Sequence, residues 1–495
     1  MDVRQLKRDF RSGRLAVDQL FDAIDTLQRN VKRLQAEVDR LTQRLAQYEP
    51  GVLQEGRSAR SPTPPSSSRY SLEAEEQRRR KQQRRRRRKK KSPGRRPNQV
   101  KFAAAHRQEN VYPPRTPHHQ CELVRERAVW RLEEGRAVLV GYRVFRGPRG
   151  AEPRIPGVTA RCEYGLEILV VLAFLVYVIG ISLDKACAVL EFFCALPLRK
   201  SQADALLRQL ARHWEPEFET LCDLVARAAV VYMDETGWKI GQEGCALWVF
   251  ASALQRVFLF GCHKDAKTLE RMLPEGIFAG VGVSDDAAVY QRRFTWAQKC
   301  WAHLLRKAIR LALLYPRKQR YQQFLDGLLA LYYDAKRAAA DGRLGKAGRE
   351  QKVAEFEDRL GDLCRPHWQR PTAALPPHER EFVNLANELM ERLFDEELFT
   401  FVLHPEVAPT NNLAERLQRG PAQDRDAGRT SKTPVGARRR SVITSVLESL
   451  RVNLLPFTLR SVVAEATRWM REGISLFQQQ LQAITPPEPA LQDTS

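Results

Sequence analysis

The chain lacks the paired thiols from which a metal-thiolate centre or a disulfide framework is built. Its nine cysteines (Cys121, Cys162, Cys187, Cys194, Cys222, Cys245, Cys262, Cys300, Cys364) are odd in number and scattered, with none in a C-x-x-C spacing. Neither a zinc ribbon nor a redox dithiol is supported, and free thiols in a reducing compartment are expected. A long apolar run is also missing. The most apolar stretch, 168–183, has 16 residues between Glu167 and Asp184, short of the ~20 that a spanning helix needs. It predicts a buried core helix and no membrane partner. The opening Met1-Asp2-Val3-Arg4 is charged and has no apolar leader core, so the expectation is a soluble, cytoplasmic protein.

What is present is length, core material and positive charge. The 495 residues exceed one ordinary domain. With 43% hydrophobic and 8% aromatic residues, a wholly disordered chain is excluded. Lys and Arg number 82 against 59 Asp and Glu, a net +23 that favours a polyanionic partner. The charge is concentrated. Residues 78–96 hold 14 Lys/Arg and no acid in 19 positions, leaving about +9 for the rest. Arg84, Arg85 and Arg86 stand in the middle of this strap. Such a block repels itself and acts as a tail for nucleic acid, without reading sequence and with a steep salt dependence.

Ahead of the strap, Leu20, Ile24, Leu27, Val31, Leu34, Val38, Leu41, Leu45 and Tyr48 alternate spacings of four and three. β-Branched residues at one seam position with Leu at the other favour a parallel two-stranded coiled coil over 1–50. It would make a homodimer or higher oligomer, or dock an accessory subunit; a helix packed on its own domain is the plainer alternative. Residues 51–71 are rich in Ser, Pro and Gly and read as a linker. The order, coil then linker then basic run, excludes a basic zipper, whose basic helix leads into its coil without a break.

From 112 to 158 the sequence reads as irregular, and from 164 to 227 as helical. Ser201 with Asp204 three residues later marks a helix start. Strand-like runs then follow at 228–233, 245–253, 257–263, 278–284 and 296–300, with helical spacing at 267–273 and 301–314. Three meandering strands followed by two helix-separated ones build a mixed five-stranded α/β sheet of the ribonuclease H type.

In such a sheet the first and fourth strands are neighbours, which brings Asp234 and Asp285 together. Adjacent carboxylates repel unless a cation sits between them, and all-oxygen ligation suits Mg²⁺ or Mn²⁺. A third acid from a later helix would complete a two-metal site for attack at phosphorus. Glu415 qualifies, in the run Pro409-Thr410-Asn411-Asn412-Leu413-Ala414-Glu415-Arg416, where Thr410 or Asn411 would cap the helix. Arg416 and Arg419 beside it offer phosphate contacts; the plainer reading is a surface Glu415–Arg419 pair.

Met233-Asp234-Glu235-Thr236, Val283-Ser284-Asp285, Cys300-Trp301-Ala302-His303-Leu304-Leu305-Arg306-Lys307 and Asn411-Asn412-Leu413-Ala414-Glu415-Arg416 occur in this order. Together they resemble the transposases of the insertion sequence 66 family, enzymes of the DDE type. The coil, the basic run and the length fit as well. The resemblance implies that Asp234, Asp285 and Glu415 are the catalytic, metal-holding triad. It also implies that residues 317–400, with helical patterns at 319–359 and 378–399, are a helical insertion. Two departures stand out. Relatives often carry a Cys-x-x-Cys ribbon after the basic region, whereas here only Cys121 and Cys162 lie near it. Asp286 follows the second acid where relatives often have Gly or an aromatic, and is the fallback ligand. Glu235 is the poorer ligand, since adjacent strand residues face opposite ways.

His303 would position a phosphate or water, or else cap or pack its helix; Trp301 reads as core. Arg306 and Lys307 face solvent or phosphate. Arg425, Arg429, Lys432, Arg438, Arg439 and Arg440 read as a mobile basic loop that holds DNA, or as an ordinary solvated loop. The expected domains are a coil (1–50), a linker with the strap (51–111), an accessory DNA-binding domain (112–227), a catalytic domain (228–316 and 401–460) around the insertion, and a C-terminal helix and tail (461–495). The expected function is cutting the ends of a mobile element and joining its 3′ hydroxyl to target DNA. Small accessory proteins and nucleoid association follow from the resemblance. The competing expectations are a hydrolysis-only nuclease of the same fold and an inactive, domesticated DNA-binding protein.

Overall fold

The structure is a computed structural model that describes residues 97–484 except 160, 161, 370 and 371. The coil expected over 1–50, the linker and the strap with Arg84, Arg85 and Arg86 lie outside the described residues, as does the tail from 485.

After a short helix α1 (Asn98–Ala103), three strands β1 (Arg107–Val111), β2 (Glu122–Glu133) and β3 (Arg136–Arg146) form a sheet in the order β1-β3-β2. This corrects the irregular reading of 112–158. β2 and β3 are antiparallel and joined by Glu134-Gly135, both at positive φ, the backbone a two-residue hairpin needs. The arginines that suggested a loop pair across strands instead: Arg143 with Glu126 at 3.3 Å, and Arg107 with Glu133. Val129, Val140, Tyr142, Val144, Ile155 and Val158 close a small core of their own.

The apolar stretch is helical as expected. α2 (Leu166–Ala173) runs into a π-helical turn (Phe174–Val178), and α3 (Leu183–Cys194) restarts behind Ser182, whose hydroxyl accepts from the Lys185 amide. No helix of the described residues is long and apolar enough to cross a membrane. α4 (Lys200–Ala226) begins one residue before the expected start, with Gln202 accepting from the Arg199 amide. Ser201 and Asp204 do not form the cap; Asp204 reaches Arg439 instead.

The second sheet contains β4 (Val230–Ile240), β5 (Glu243–Ala251), β6 (Arg256–Cys262), β7 (Val281–Ser284) and β8 (Trp296–Lys299), with α5 (Ala266–Met272) between β6 and β7. Its order is β6-β5-β4-β7-β8. β4 pairs antiparallel with β5 and parallel with β7, and β7 pairs parallel with β8, so the fold is mixed α/β around a five-stranded mixed sheet. β4 is longer than the sequence suggests. Its pairing with β5 continues to Ile240, whereas its pairing with β7 stops at Tyr232↔Val283. Asp234 therefore lies within a strand, at the point where the neighbouring strand has ended.

α6 (Trp301–Leu314) follows β8. The helical segment beyond it is α7 (Gln319–Ala340), α8 (Lys346–Cys364), α9 (Pro377–Phe394) and α10 (Thr400–Leu403). The single helical pattern at 319–359 is broken because Asp341 accepts from the Arg343 amide and turns the chain ahead of α8. α11 (Asn412–Asp426), α12 (Pro434–Asn453), α13 (Leu459–Glu472) and α14 (Leu476–Ile484) complete the chain.

Alternation along β4 sorts the sheet's two faces. Val231 and Met233 join the core shared with α4, α12 and α13. Tyr232 and Trp238 join the core shared with α6 to α10 and with Ala414 of α11.

Candidate active site

The register of two parallel strands brings the first two acids together. Two residues past the Tyr232↔Val283 pair, Asp234 and Asp285 occupy matching positions on adjacent chains, on the face of α6 and α11. Neighbouring strands lie about 4.8 Å apart. Asp234 Oδ1 accepts from the Glu235 amide at 3.0 Å and Asp285 Oδ1 from the Ala287 amide at 3.0 Å. Among the described residues neither carboxylate is paired with a cationic side chain. Burial, then the charge of Asp285, then Glu235 and Glu415, push the Asp234 carboxyl up to about 7.

Asn411 locks the third acid's helix onto this corner. Its side chain is fully buried, and Nδ2 donates to the Met233 carbonyl at 2.6 Å. Its amide donates to Cys300 Sγ at 3.2 Å, while the Trp301 amide donates to the Pro409 carbonyl at 3.0 Å. The starts of α6 and α11 are thus stitched to each other and to the residue before Asp234. This corrects the expected cap: Asn411 does occupy the residue before α11, but its side chain holds the sheet rather than the helix. Cys300 is buried, which pushes its thiol up.

Glu415, in the first turn of α11, faces α6 and not Arg419. Its carboxylate lies 3.2 Å from Arg306 Nη2 and 3.6 Å from His303 Nδ1. Cys300, His303 and Glu415 offer donor atoms within 4.8 Å of one another. Asp234, Asp285 and Glu415 are not gathered that closely. A single ion would need them to be, whereas two ions about 4 Å apart span a wider set of carboxylates. An all-oxygen pair with no resident cation, facing a third carboxylate on the same side, fits Mg²⁺ or Mn²⁺.

Asp286 is turned to other work. Arg392 Nε sits 2.6 Å from its Oδ1, and Arg392 also reaches Glu397 and Asp395. Glu235 points to the opposite face, where it accepts from the Tyr290 hydroxyl and meets Lys264 at 2.5 Å. Burial raises its carboxyl and these two partners oppose that rise. No local pattern marks Tyr290, Lys264 or Arg392, which lie 55, 29 and 106 positions from their partners. Periodicity carries no information at such separations.

The basic residues divide. Arg416 and Arg419 are exposed on α11. Lys307 is held by Glu388 at 2.5 Å. Trp301 is fully buried and donates to the Leu398 carbonyl, a core residue as expected. The expected basic loop is largely helix: Arg438, Arg439 and Arg440 lie in the first turns of α12. Arg438 binds Glu215 and Glu219, Arg439 binds Asp204 at 2.7 Å, and buried Arg440 binds Asp424. These guanidinium groups tie α12 to α4 and α11. Arg425 closes α11 onto the sheet, donating to Thr236 Oγ1 and the Gly237 carbonyl at 3.0 Å each.

The mixed sheet thus presents two acids at neighbouring positions, with a third on a helix stitched alongside. The model of the Transposase IS66 family matches residues 161–439, more than half of the chain. The chain belongs to that family, as the sequence resemblance implied. The family's DDE designation implies dependence on a divalent metal. No curated protein matches the chain.

Proposed function

We propose that the protein is a DDE transposase with a ribonuclease H-like core, cutting the ends of its element and joining the 3′ hydroxyl to target DNA. The catalytic domain comprises 228–316 and 401–460, interrupted by the helical insertion at 317–400. Asp234, Asp285 and Glu415 hold the metal; the fallback Asp286 is set aside because Arg392 occupies it. When bound, a Mg²⁺ or Mn²⁺ pair supplies stabilisation of the entering and leaving oxygens of an in-line displacement.

The chain's own groups do the rest. Burial and the charge of Asp285 keep the proton on Asp234, and it would be released only where a bound cation offset the repulsion between the two carboxylates. Glu415 would help to hold the cation, and Arg306 and His303 beside it would then be available to face the scissile phosphate. Arg416 and Arg419 meet flanking phosphates, and Arg84, Arg85 and Arg86 in the strap hold DNA without reading it. Assembly through the coil at 1–50, accessory proteins and a nucleoid location belong to the same reading.

The observation that carries this reading is the pairing of Tyr232 with Val283, which sets Asp234 beside Asp285. The test uses DNA bearing the inverted repeats that flank the gene. Wild type with Mg²⁺ cuts the ends and, given a pre-cut end, joins it to a second duplex. Asp234→Ala, Asp285→Ala and Glu415→Ala bring both reactions to background while DNA retention persists. Cutting without joining would mark a nuclease, and retention without either reaction in wild type an inactive DNA-binding protein.

A further inference from the structure

On the opposite side of the sheet, a cavity of about 670 Å³ opens between β2, the 154–159 segment, α4 and α13. Arg125, Arg127 and Arg154 contribute to its lining, and Trp214 and Trp469 form aromatic walls. Both tryptophans are more than nine-tenths buried, edge-to-face at 6.5 Å. Glu217 also lines it, only 8% exposed; its carboxyl hydrogen-bonds Ser475, while its Oε2 has no hydrogen-bond partner among the described residues. Arg154 is exposed and donates to the Met470 carbonyl at 3.2 Å, and among the described residues it pairs with no carboxylate.

A buried polar atom without a partner is costly unless a ligand satisfies it. A bare anion would suit the arginines but leave Glu217 unsatisfied, and an apolar molecule would serve neither. The lining asks for a flat body with an anion at one end and an N–H edge at the other. A nucleotide has that chemistry: phosphate for guanidinium groups, a ring for aromatic walls, and a base edge for a carboxyl. Burial pushes the Glu217 carboxyl up, and a neutral carboxyl both donates to and accepts from a base edge.

We infer that this cavity takes a single unpaired deoxynucleotide of the DNA, with its phosphate on Arg154 and its neighbours and its base edge on Glu217. The inference rests on the reading that this chain handles DNA, but it concerns a site separate from the three acids.

The probe is 2-aminopurine deoxyribonucleoside 5′-monophosphate, a mononucleotide too small to bridge the charges of the strap, titrated into the full chain and followed by its fluorescence. Wild type should quench it saturably. Arg154→Glu, a surface change, should weaken binding by about tenfold or more. Glu217→Leu should weaken it several-fold, and Glu217→Gln, which keeps a donor and an acceptor, should restore it. Asp234→Ala should bind as wild type does. A chain that binds the probe yet cannot cut DNA would overturn the catalytic reading alone. Absence of saturation at millimolar probe would overturn the inference, as would wild-type binding by Arg154→Glu. Should Glu217→Leu fail to fold, as seen by circular dichroism, Arg154→Glu decides.

Discussion

Asp234 is a carboxylic acid whose surroundings oppose its own ionisation. Burial and the charge of Asp285 raise it from an ordinary carboxyl to about 7. The native state therefore binds this proton more tightly than the unfolded chain does. Between about pH 4 and 7 the native state carries more of the proton, so stability falls as pH rises, and it levels off above the folded value. In EDTA at pH 8, Asp234→Asn should melt about 2–5 °C above wild type. The gap should shrink at pH 5 and vanish below about pH 4. Thermal melts across that range check it; a gap independent of pH would mean that the ionised carboxylate is not what costs stability. Adding Mn²⁺ at pH 8 should raise the melting point of wild type and leave Asp234→Asn nearly unmoved.

At the scale of elements, the edge of the large sheet carries a device that no local pattern announces. β6 is an edge strand, and α12 lies along it with Ser441, Ser445 and Ser449 spaced by four on one face. Their hydroxyls accept from the amides of Phe260 at 2.9 Å, Phe258 at 2.8 Å and Arg256 at 2.9 Å. Helix spacing of four matches strand spacing of two, since about 6 Å of rise separates each pair. The helix thereby covers amides that would otherwise invite another strand. Ser445→Ala removes one acceptor and leaves the buried Phe258 amide unsatisfied, so urea unfolding should show a loss of roughly 1–3 kcal/mol. A cost near zero would show that the edge is held by packing alone.

The serines also mark where sequence reading stops. Most strands and helices were legible because alternation is a local signal; the two aspartates were proposed from strand-end positions, although β4 continues past Asp234 to Ile240. Their partners across the sheet followed from strand order, and the Tyr232↔Val283 register agrees. The hairpin β2–β3 was missed because its charged residues satisfy each other across strands, leaving a pattern that looks like loop. The basic loop at 425–440 was misread for the same reason: arginines counted as free charge are committed to acids far away in the chain, such as Glu215 and Asp204. Net charge can be counted from sequence; which charges remain available cannot.

The strap holds 14 of the 82 Lys and Arg, and each phosphate that it neutralised would release counterions. Replacing Arg84, Arg85 and Arg86 with Gln should weaken DNA binding uniformly over sequence and reduce the slope of log affinity against log salt by about 2–3. Anisotropy titrations between low and moderate salt read this directly; an unchanged slope would place those charges off the DNA.

The helical segment 317–400 reaches the strand end after Asp285 through a buried ionic network. Arg392 on α9 binds Asp286 at 2.6 Å, Asp395 at 2.9 Å and Glu397 at 3.4 Å, while Lys299 at the end of β8 stands 3.8 Å from Glu397. The Lys299 amide donates to the Glu397 carbonyl, and Gln298 bonds Leu398 and Phe401. The helical segment is thus fastened to the strand end beside Asp285 through Arg392, Glu397 and Lys299, which water scarcely reaches. Arg392→Met keeps the stem but leaves Asp286 and Glu397 without their main counter-charge. Breaking one side of a buried pair costs about 3–5 kcal/mol, which denaturant unfolding will show. Because Asp286 is the residue after Asp285, the looser strand end should also weaken the Mn²⁺-induced rise in melting temperature. Asp286→Asn in the Arg392→Met background should recover part of both losses, because it removes the carboxylate that was left unpaired. A double variant no better than the single one would mean that the helical segment is held by its apolar contacts and that the network does not set the position of Asp285.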